Sequence, residues 1–488
     1  MRKSGVLLHI TSLPAPGGIG TLGDEAYRFV DWLKKAGMSV WQVLPVGPTG
    51  YGDSPYQSPS TFAGNMYMID LDHLIRDGFL SSNIDAYSSV KGLDYETLKA
   101  RRLSALKLSF EQSFADVQGE VDIFIDEHPE LDDYALFMAV KDYFGGIIWT
   151  QWPDVAIRMR EEGALKHYRR ILRDEVNFYK YTQYLFFRQW KQLKAYANQN
   201  GISIFGDMPI YVAEDSSDTW ANPGIFQLDK DRHPIKVAGV PPDYFSEDGQ
   251  LWGNPLYDWH ALKRTGYEWW LRRLKNASEL YDSLRVDHFI GFANYYAVRA
   301  GAPNARLGKW EKAPGRSFFF TVKRKLPDIN IVAEDLGVVN NRVKRLLRFC
   351  GYPGMKVLAF AFDSDNENPH FLSNIGENAV VYTGTHDNDT TRGWWEKVPD
   401  SVRAFASEYL PQRDTIVDSM VEAALGSPAR LAIIPVQDIL ELDSSARMNT
   451  PGTVGGTNWR FTLEKGALTD ELATKYLELN EYYERTEV

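Results

Sequence analysis

Ser283-Leu284-Arg285-Val286-Asp287-His288-Phe289 alternates small or apolar side chains with charged ones. That alternation reads as a strand, and its tip presents Arg285, Asp287 and His288 together. Burying an arginine and a carboxylate without use is costly, so such a tip points to chemistry. Extended alternation turns the His288 side chain away from Asp287, and His288 is read as structural. Two later apolar runs end in the same manner. Ile331-Val332-Ala333 runs into Glu334-Asp335, and Ala379-Val380-Val381-Tyr382-Thr383 runs into Gly384-Thr385-His386-Asp387.

Working outward, Val6–Ile10 and Val40–Leu44 are short apolar runs flanking a helical pattern, Asp24–Ala36, that stops at Gly37. Strand, helix, strand at this pace is a unit of a parallel sheet. Ile202–Asp207 is a third strand, and the opening stretch is the fourth. Ile331–Asp335, Val357–Phe362, Ala379–Thr383 and Leu431–Pro435 complete eight. Eight apolar strands mostly separated by helical stretches predict a (β/α)8 barrel in the α/β class. Such a barrel needs about 250 residues. The surplus is expected in two insertions, a mainly helical one after strand two (~65–200) and an irregular one after strand three (~208–280). Both belong to a single catalytic unit, 1–488. A doubly wound sheet would gather its ligand groups at one switch point. Here polar residues follow strands three, four, five, seven and eight.

The chain carries a formal charge of −11, and no Lys/Arg block interrupts it. Neither nucleic acid nor an anionic membrane is an expected partner. The one cysteine, Cys350, rules out an intramolecular disulfide and suits a reducing compartment. No apolar run reaches the roughly 18 residues of a membrane span, and no signal peptide is recognisable. The protein is expected to be cytoplasmic.

Three motifs lead elsewhere and fail on context. Gly18-Ile19-Gly20-Thr21-Leu22-Gly23 has dinucleotide-loop spacing, but Thr11–Gly17 separates it from its strand. Asp363-Ser364-Asp365-Asn366-Glu367 has calcium-loop spacing, but Asn368 and Asn374 stand where Gly and Glu are required. No zinc spacing or phosphate loop is present. No metal and no cofactor is expected.

Barrel strands run one way, so Asp207, Asp287, Glu334 and Asp387 are expected to converge over one mouth. Convergent carboxylates without metal ligands suit cleavage of glycosidic bonds. One acid protonates the leaving oxygen, and a second carboxylate attacks or activates water. A buried glutamate among aspartates is a suitable proton donor, because desolvation and like charge raise its pKa. Loop aromatics (Tyr51, Tyr56, Trp220, Tyr244, Phe245, Trp252) offer flat faces to sugar rings.

The ordered motifs Gly50-Tyr-Gly-Asp-Ser-Pro-Tyr-Gln57, Gly206-Asp-Met-Pro-Ile210, Gly239-Val-Pro-Pro-Asp-Tyr-Phe-Ser246, Trp252-Gly-Asn-Pro-Leu256, Arg285–Phe289, Ala333-Glu-Asp-Leu-Gly337 and Gly384-Thr-His-Asp-Asn-Asp-Thr390 span almost the whole chain. Together they resemble the amylomaltases, the 4-α-glucanotransferases of glycoside hydrolase family 77 in the α-amylase clan. The resemblance implies a retaining, covalent mechanism. Asp287 would be the nucleophile with Arg285 beside it, and Glu334 the general acid and then base. Asp387, helped by His386, would grip the donor sugar. Asp207, Tyr56, Ser54, Asp243, Trp252 and Asn458 match positions that line the glucan groove. The implied partners are α-1,4-glucan donors with glucose or maltooligosaccharide acceptors. Ile290 and Tyr296 depart from the arginine and tryptophan common in such enzymes. Transfer also requires that water be kept out, and Gly239–Trp252 and Asn449–Arg460 are the lid segments expected to do so. A hydrolase with the same acids and a non-catalytic glucan-binding protein are the alternative readings.

Overall fold

The structure, a computed structural model, describes residues 2–15, 18–82, 95–242, 247–337 and 339–486. Eight strands form its centre: β1 Lys3–Leu7, β2 Val40–Gln42, β3 Ser203–Pro209, β4 Ser283–Asp287, β5 Ile331–Ala333, β6 Gly354–Val357, β7 Ala379–Tyr382 and β8 Leu431–Pro435. All their pairings are parallel, in the order β6-β7-β8-β1-β2-β3-β4-β5. Helices cover such strands outside and side chains fill the barrel inside, which is why they read as unbroken apolar runs. β7, for example, is buried at every position.

The remaining seam lies between β5 and β6. There the Ala333 N–H donates to the Pro353 carbonyl at 2.8 Å. The Asp335 carboxylate accepts the Met355 N–H, also at 2.8 Å. Gly354 is required at this point, since a Cβ would stand 2.6 Å from an Asp335 carboxylate oxygen. β6 therefore starts three residues earlier than the apolar run Val357–Phe362 suggests, and Leu358–Phe360 is a 3₁₀ turn. A short all-apolar run does not reveal its own register or type. β1 likewise begins at Lys3, ahead of the expected Val6.

Asp24–Lys35 packs Ala26, Phe29, Val30, Trp32 and Leu33 inward and ends before Gly37, whose φ of 65° a side chain would strain. Between β2 and β3 the long helices are Tyr95–Glu127, Pro129–Tyr143 and Arg173–Gln199. The last of these pins the loop that follows β2. The buried Gln183 amide pairs with both backbone groups of Gly64 (2.7 and 3.0 Å), and that of Gln189 does the same with Asp70 (2.7 and 3.0 Å).

The segment after β3 contains more order than its composition suggests. Lys236–Val240 and Gln250–Pro255 join Asn294–Arg299 and Lys309–Lys312 in a four-stranded antiparallel sheet. This sheet carries Trp252 to the mouth of the barrel. Among the described residues no helix is long and apolar enough to cross a membrane.

Candidate active site

Strand register sets the level of each acid. Asp207 on β3 lies opposite Arg285 on β4, and Pro209 opposite Asp287. Val286 lies opposite Ala333 on β5, so Asp287 and Glu334 leave adjacent strands at the same height. Arg285 is almost wholly buried and is used on every side. One terminal nitrogen reaches both Asp207 oxygens (2.8 and 2.7 Å), and the other reaches Asp287 at 2.9 Å. Its Nε faces the Met355 sulfur at 3.4 Å. A buried guanidinium is tolerated when its charge and its donors are matched in this way. The two carboxylates in turn push the Arg285 pKa well above its ordinary value, against the opposing effect of burial.

Asp207 was expected to line the groove. Its side chain has no exposed surface, and its carboxylate is consumed by Arg285 and by the Tyr56 hydroxyl at 2.8 Å. Burial raises its pKa and Arg285 lowers it. It therefore faces the mouth only through these two partners. Asp287 sits at the same cluster with 29% of its side chain open.

Glu334 is buried. Its Oε2 accepts the His288 N–H and its Oε1 the Leu336 N–H, each at 2.6 Å. Burial pushes its carboxyl up to about 8; Arg285 opposes this and the Asp287 charge adds to it. Burial thus favours the protonated form of Glu334, while its neighbour on β4 is ion-paired to an arginine.

His288 departs from its expected orientation. The extended backbone ends at Asp287, and His288 takes a left-handed conformation (φ 50°, ψ 45°). Strand alternation no longer applies. Its ring packs edge-on against Trp252 at 4.8 Å and lies 6.4 Å from Tyr211. Burial lowers its pKa to about 4, against the charge of Asp287, so the neutral ring is within electrostatic reach of that acid.

Asp387 stands beyond β7 and is the most open of the four acids, with 44% of its side chain exposed. Asn449 donates to its Oδ1 at 2.6 Å, and His386 Nε2 stands 3.4 Å from the same oxygen. Arg447 grips its main-chain oxygen at 2.6 Å. The His386 ring stacks on Tyr56 (5.2 Å, 16° between planes), and Trp459 leans on both. Ser54 accepts the Tyr56 N–H at 3.2 Å and shapes that turn. Asn458 is buried and occupied within its own loop, by Thr450 and Thr453. Asp243 lies outside the described residues.

Sequence reasoning did not single out Asn449, Arg447, Tyr211 or Met355. Asn449 falls in the Gly- and Thr-rich segment already noted, but nothing local marks it as the partner of Asp387. Met355 and Tyr211 have no polar signal at all.

A nearly closed parallel barrel that sets an arginine-paired aspartate beside a buried glutamate at adjacent strand ends is an arrangement suited to glycoside chemistry. The sequence profile of the 4-alpha-glucanotransferases (glycoside hydrolase family 77) matches residues 8–468, and the chain belongs to that family. A 4-alpha-glucanotransferase of Streptococcus pneumoniae serotype 4 is 44% identical over 99% of this chain and 97% of its own. One of Thermus thermophilus is 46% identical over 99% of each chain. The solved amylomaltase of Streptococcus agalactiae, in complex with acarbose, superposes with a TM-score of 0.96 at 40% identity and full coverage of both chains. The chain is accordingly a glucanotransferase, and the hydrolase reading finds no support among these relatives.

Proposed function

We propose that this enzyme moves segments of α-1,4-glucan onto the 4-hydroxyl of glucose or another glucan by two displacements at one carbon. In the first, Glu334 gives its proton to the glycosidic oxygen while Asp287 attacks the anomeric carbon. The C–O bond breaks, the departing chain keeps the proton, and the donor segment is left as an ester on Asp287. In the second, the Glu334 carboxylate takes the proton of an incoming 4-hydroxyl. That oxygen displaces Asp287, and the configuration is retained. Asp387, steadied by Asn449 and His386, grips the donor ring. Tyr56, Ser54 and Trp252 belong to the groove, and Asn458 braces the loop beside it. Asp207 acts at one remove, by fixing Arg285 and Tyr56. The whole chain works as one catalytic unit, with 65–200 and 208–280 inserted beside the barrel and Gly239–Trp252 and Asn449–Arg460 as lids.

The observation that carries this reading is the contrast between two neighbouring acids, Asp287 paired with Arg285 and Glu334 buried and raised to about 8. A nucleophile and an acid need opposite protonation at one pH. The test is Asp287→Asn and Glu334→Gln, made separately. Each should lower kcat on maltotriose by about 10²–10⁴-fold or more while glucan binding persists. Turnover near the parent level in either variant overturns the assignment.

A further inference from the structure

Asp53 lies in the turn Tyr51–Asp53, close to the groove residues Ser54 and Tyr56, yet its carboxylate takes no part in the cluster around Arg285. It bridges two segments remote in sequence. One oxygen accepts from Lys99 on the helix Tyr95–Glu127; the other accepts from Arg460 at 3.2 Å. Lys99 also lies over the Tyr67 ring, 5.9 Å from its centre. Asp53 and Lys99 are mostly covered, whereas Arg460 is 41% exposed.

The backbone on both sides of this bridge is shaped for it. Asp53 has φ 60°, and Trp459, next to Arg460, has φ 66°. These left-handed conformations are uncommon outside glycine and persist where the surroundings over-determine them. Gly52 also has a positive φ, and a Cβ there would stand 2.9 Å from the Val454 side chain. The turn and the segment 449–460 are therefore in direct contact as well as ion-paired. At its other end that segment is held by Asn449 on Asp387.

We propose that Asp53 is a positioning residue that sets the ratio of transfer to hydrolysis, by latching the Asn449–Arg460 segment onto the turn that carries Ser54 and Tyr56. The inference rests on the reading of that segment as a lid over the groove. With the latch closed, water reaches the glycosyl-enzyme poorly and a sugar hydroxyl competes well. With it open, water gains.

The test measures the hydrolytic share of maltotriose turnover in Asp53→Asn, Arg460→Gln, the double variant and Arg460→Lys. Asparagine keeps the shape and tolerates the left-handed backbone, so the first change isolates the charge. The latch predicts a rise of about threefold in each of the first two, the size of a partly exposed ion pair. The double variant should rise no further than Asp53→Asn, since both single changes break the Asp53–Arg460 pair and only Asp53→Asn also releases Lys99. Arg460→Lys, which keeps the charge, should stay near the parent. Between about 0.05 and 1 M salt the parent's hydrolytic share should climb, as screening shortens to about 3 Å, while that of Asp53→Asn stays flat. An unchanged share in both single variants, or an equal salt response with and without the charge, overturns the proposal. Cutting out residues 452–456 separates the two ideas. If that variant hydrolyses more while the point variants do not, the latch fails and the lid stands. If it does not, the lid reading fails and takes the latch with it.

Discussion

At the scale of single residues, Glu334 makes the most specific prediction. Its proton is held to about 8 in the folded chain, against a reference of 4.5. As pH rises through about 8 the acid form disappears, so kcat/KM should fall on an alkaline limb near that pH. A pH–rate profile of the free enzyme with maltotriose reads it, and a limb that begins below pH 6 would contradict the burial argument. The same shift has a stability sign. Between about 4.5 and 8 the folded state binds a proton that the unfolded state has lost, so this group costs stability as pH rises through that window. Glu334→Gln removes the cost, but its amide nitrogen then faces one of the two backbone N–H donors. That penalty does not change with pH. Relative to the parent, the glutamine variant should gain on the order of 3–4 kcal/mol between pH 5 and pH 8 in urea unfolding. Arg285 tests the same cluster from its centre. Arg285→Gln leaves Asp207 buried without its countercharge and should cost about 3–5 kcal/mol as well as activity. The Arg285 and Asp287 pairing was legible in sequence because charges spaced two apart on a strand share a face. His288 was not, because its turn into left-handed backbone depends on contacts with Trp252 and Tyr211 from another segment.

At the scale of elements, the seam between β5 and β6 is held by the Ala333–Pro353 bond and by Asp335 instead of a strand ladder. Asp335→Ala removes the acceptor of the Met355 N–H and leaves it unpaired. The expected loss is about 1–3 kcal/mol in chemical unfolding, with the surviving folded fraction active. A loss of activity at full stability would place Asp335 in the chemistry instead. The elements most legible in sequence are those buried on both faces, such as β7 and β8, where burial forces an unbroken apolar run. The four-stranded sheet was illegible for the converse reason. Lys309–Lys312 is mostly exposed and Lys236–Val240 contains a glycine. Their pairing comes from partners far along the chain, and no local period announces it.

At the scale of the whole molecule, the mouth and the base of the barrel are separately secured. At the base, the buried Arg485 donates to the carbonyls of Lys3, Ala424, Leu425, Ser427 and Ala429 and so ties the C-terminal end to the starts of β1 and β8. Arg485→Met should cost about 3 kcal/mol or more of stability and leave KM for maltotriose unchanged at a temperature where the variant is folded. A shift in KM without a loss of stability would mean that the base is coupled to the site. The mouth, by contrast, is assembled from four strand ends (β3, β4, β5 and β7) and the loops beyond β2 and β8, which converge only once the barrel closes. That convergence is the reason acids so distant in sequence stand together.

The proposed mechanism gives Asp287 and Glu334 distinct roles. The most direct measurement is intact and peptide mass spectrometry of Glu334→Gln incubated with an α-glucosyl fluoride. Fluoride leaves without a proton, so the first displacement proceeds, while the missing base slows the second. A glucosyl ester should accumulate and map to Asp287. An adduct on Asp387 or on another residue, or steady turnover of the fluoride with no adduct, would contradict the mechanism.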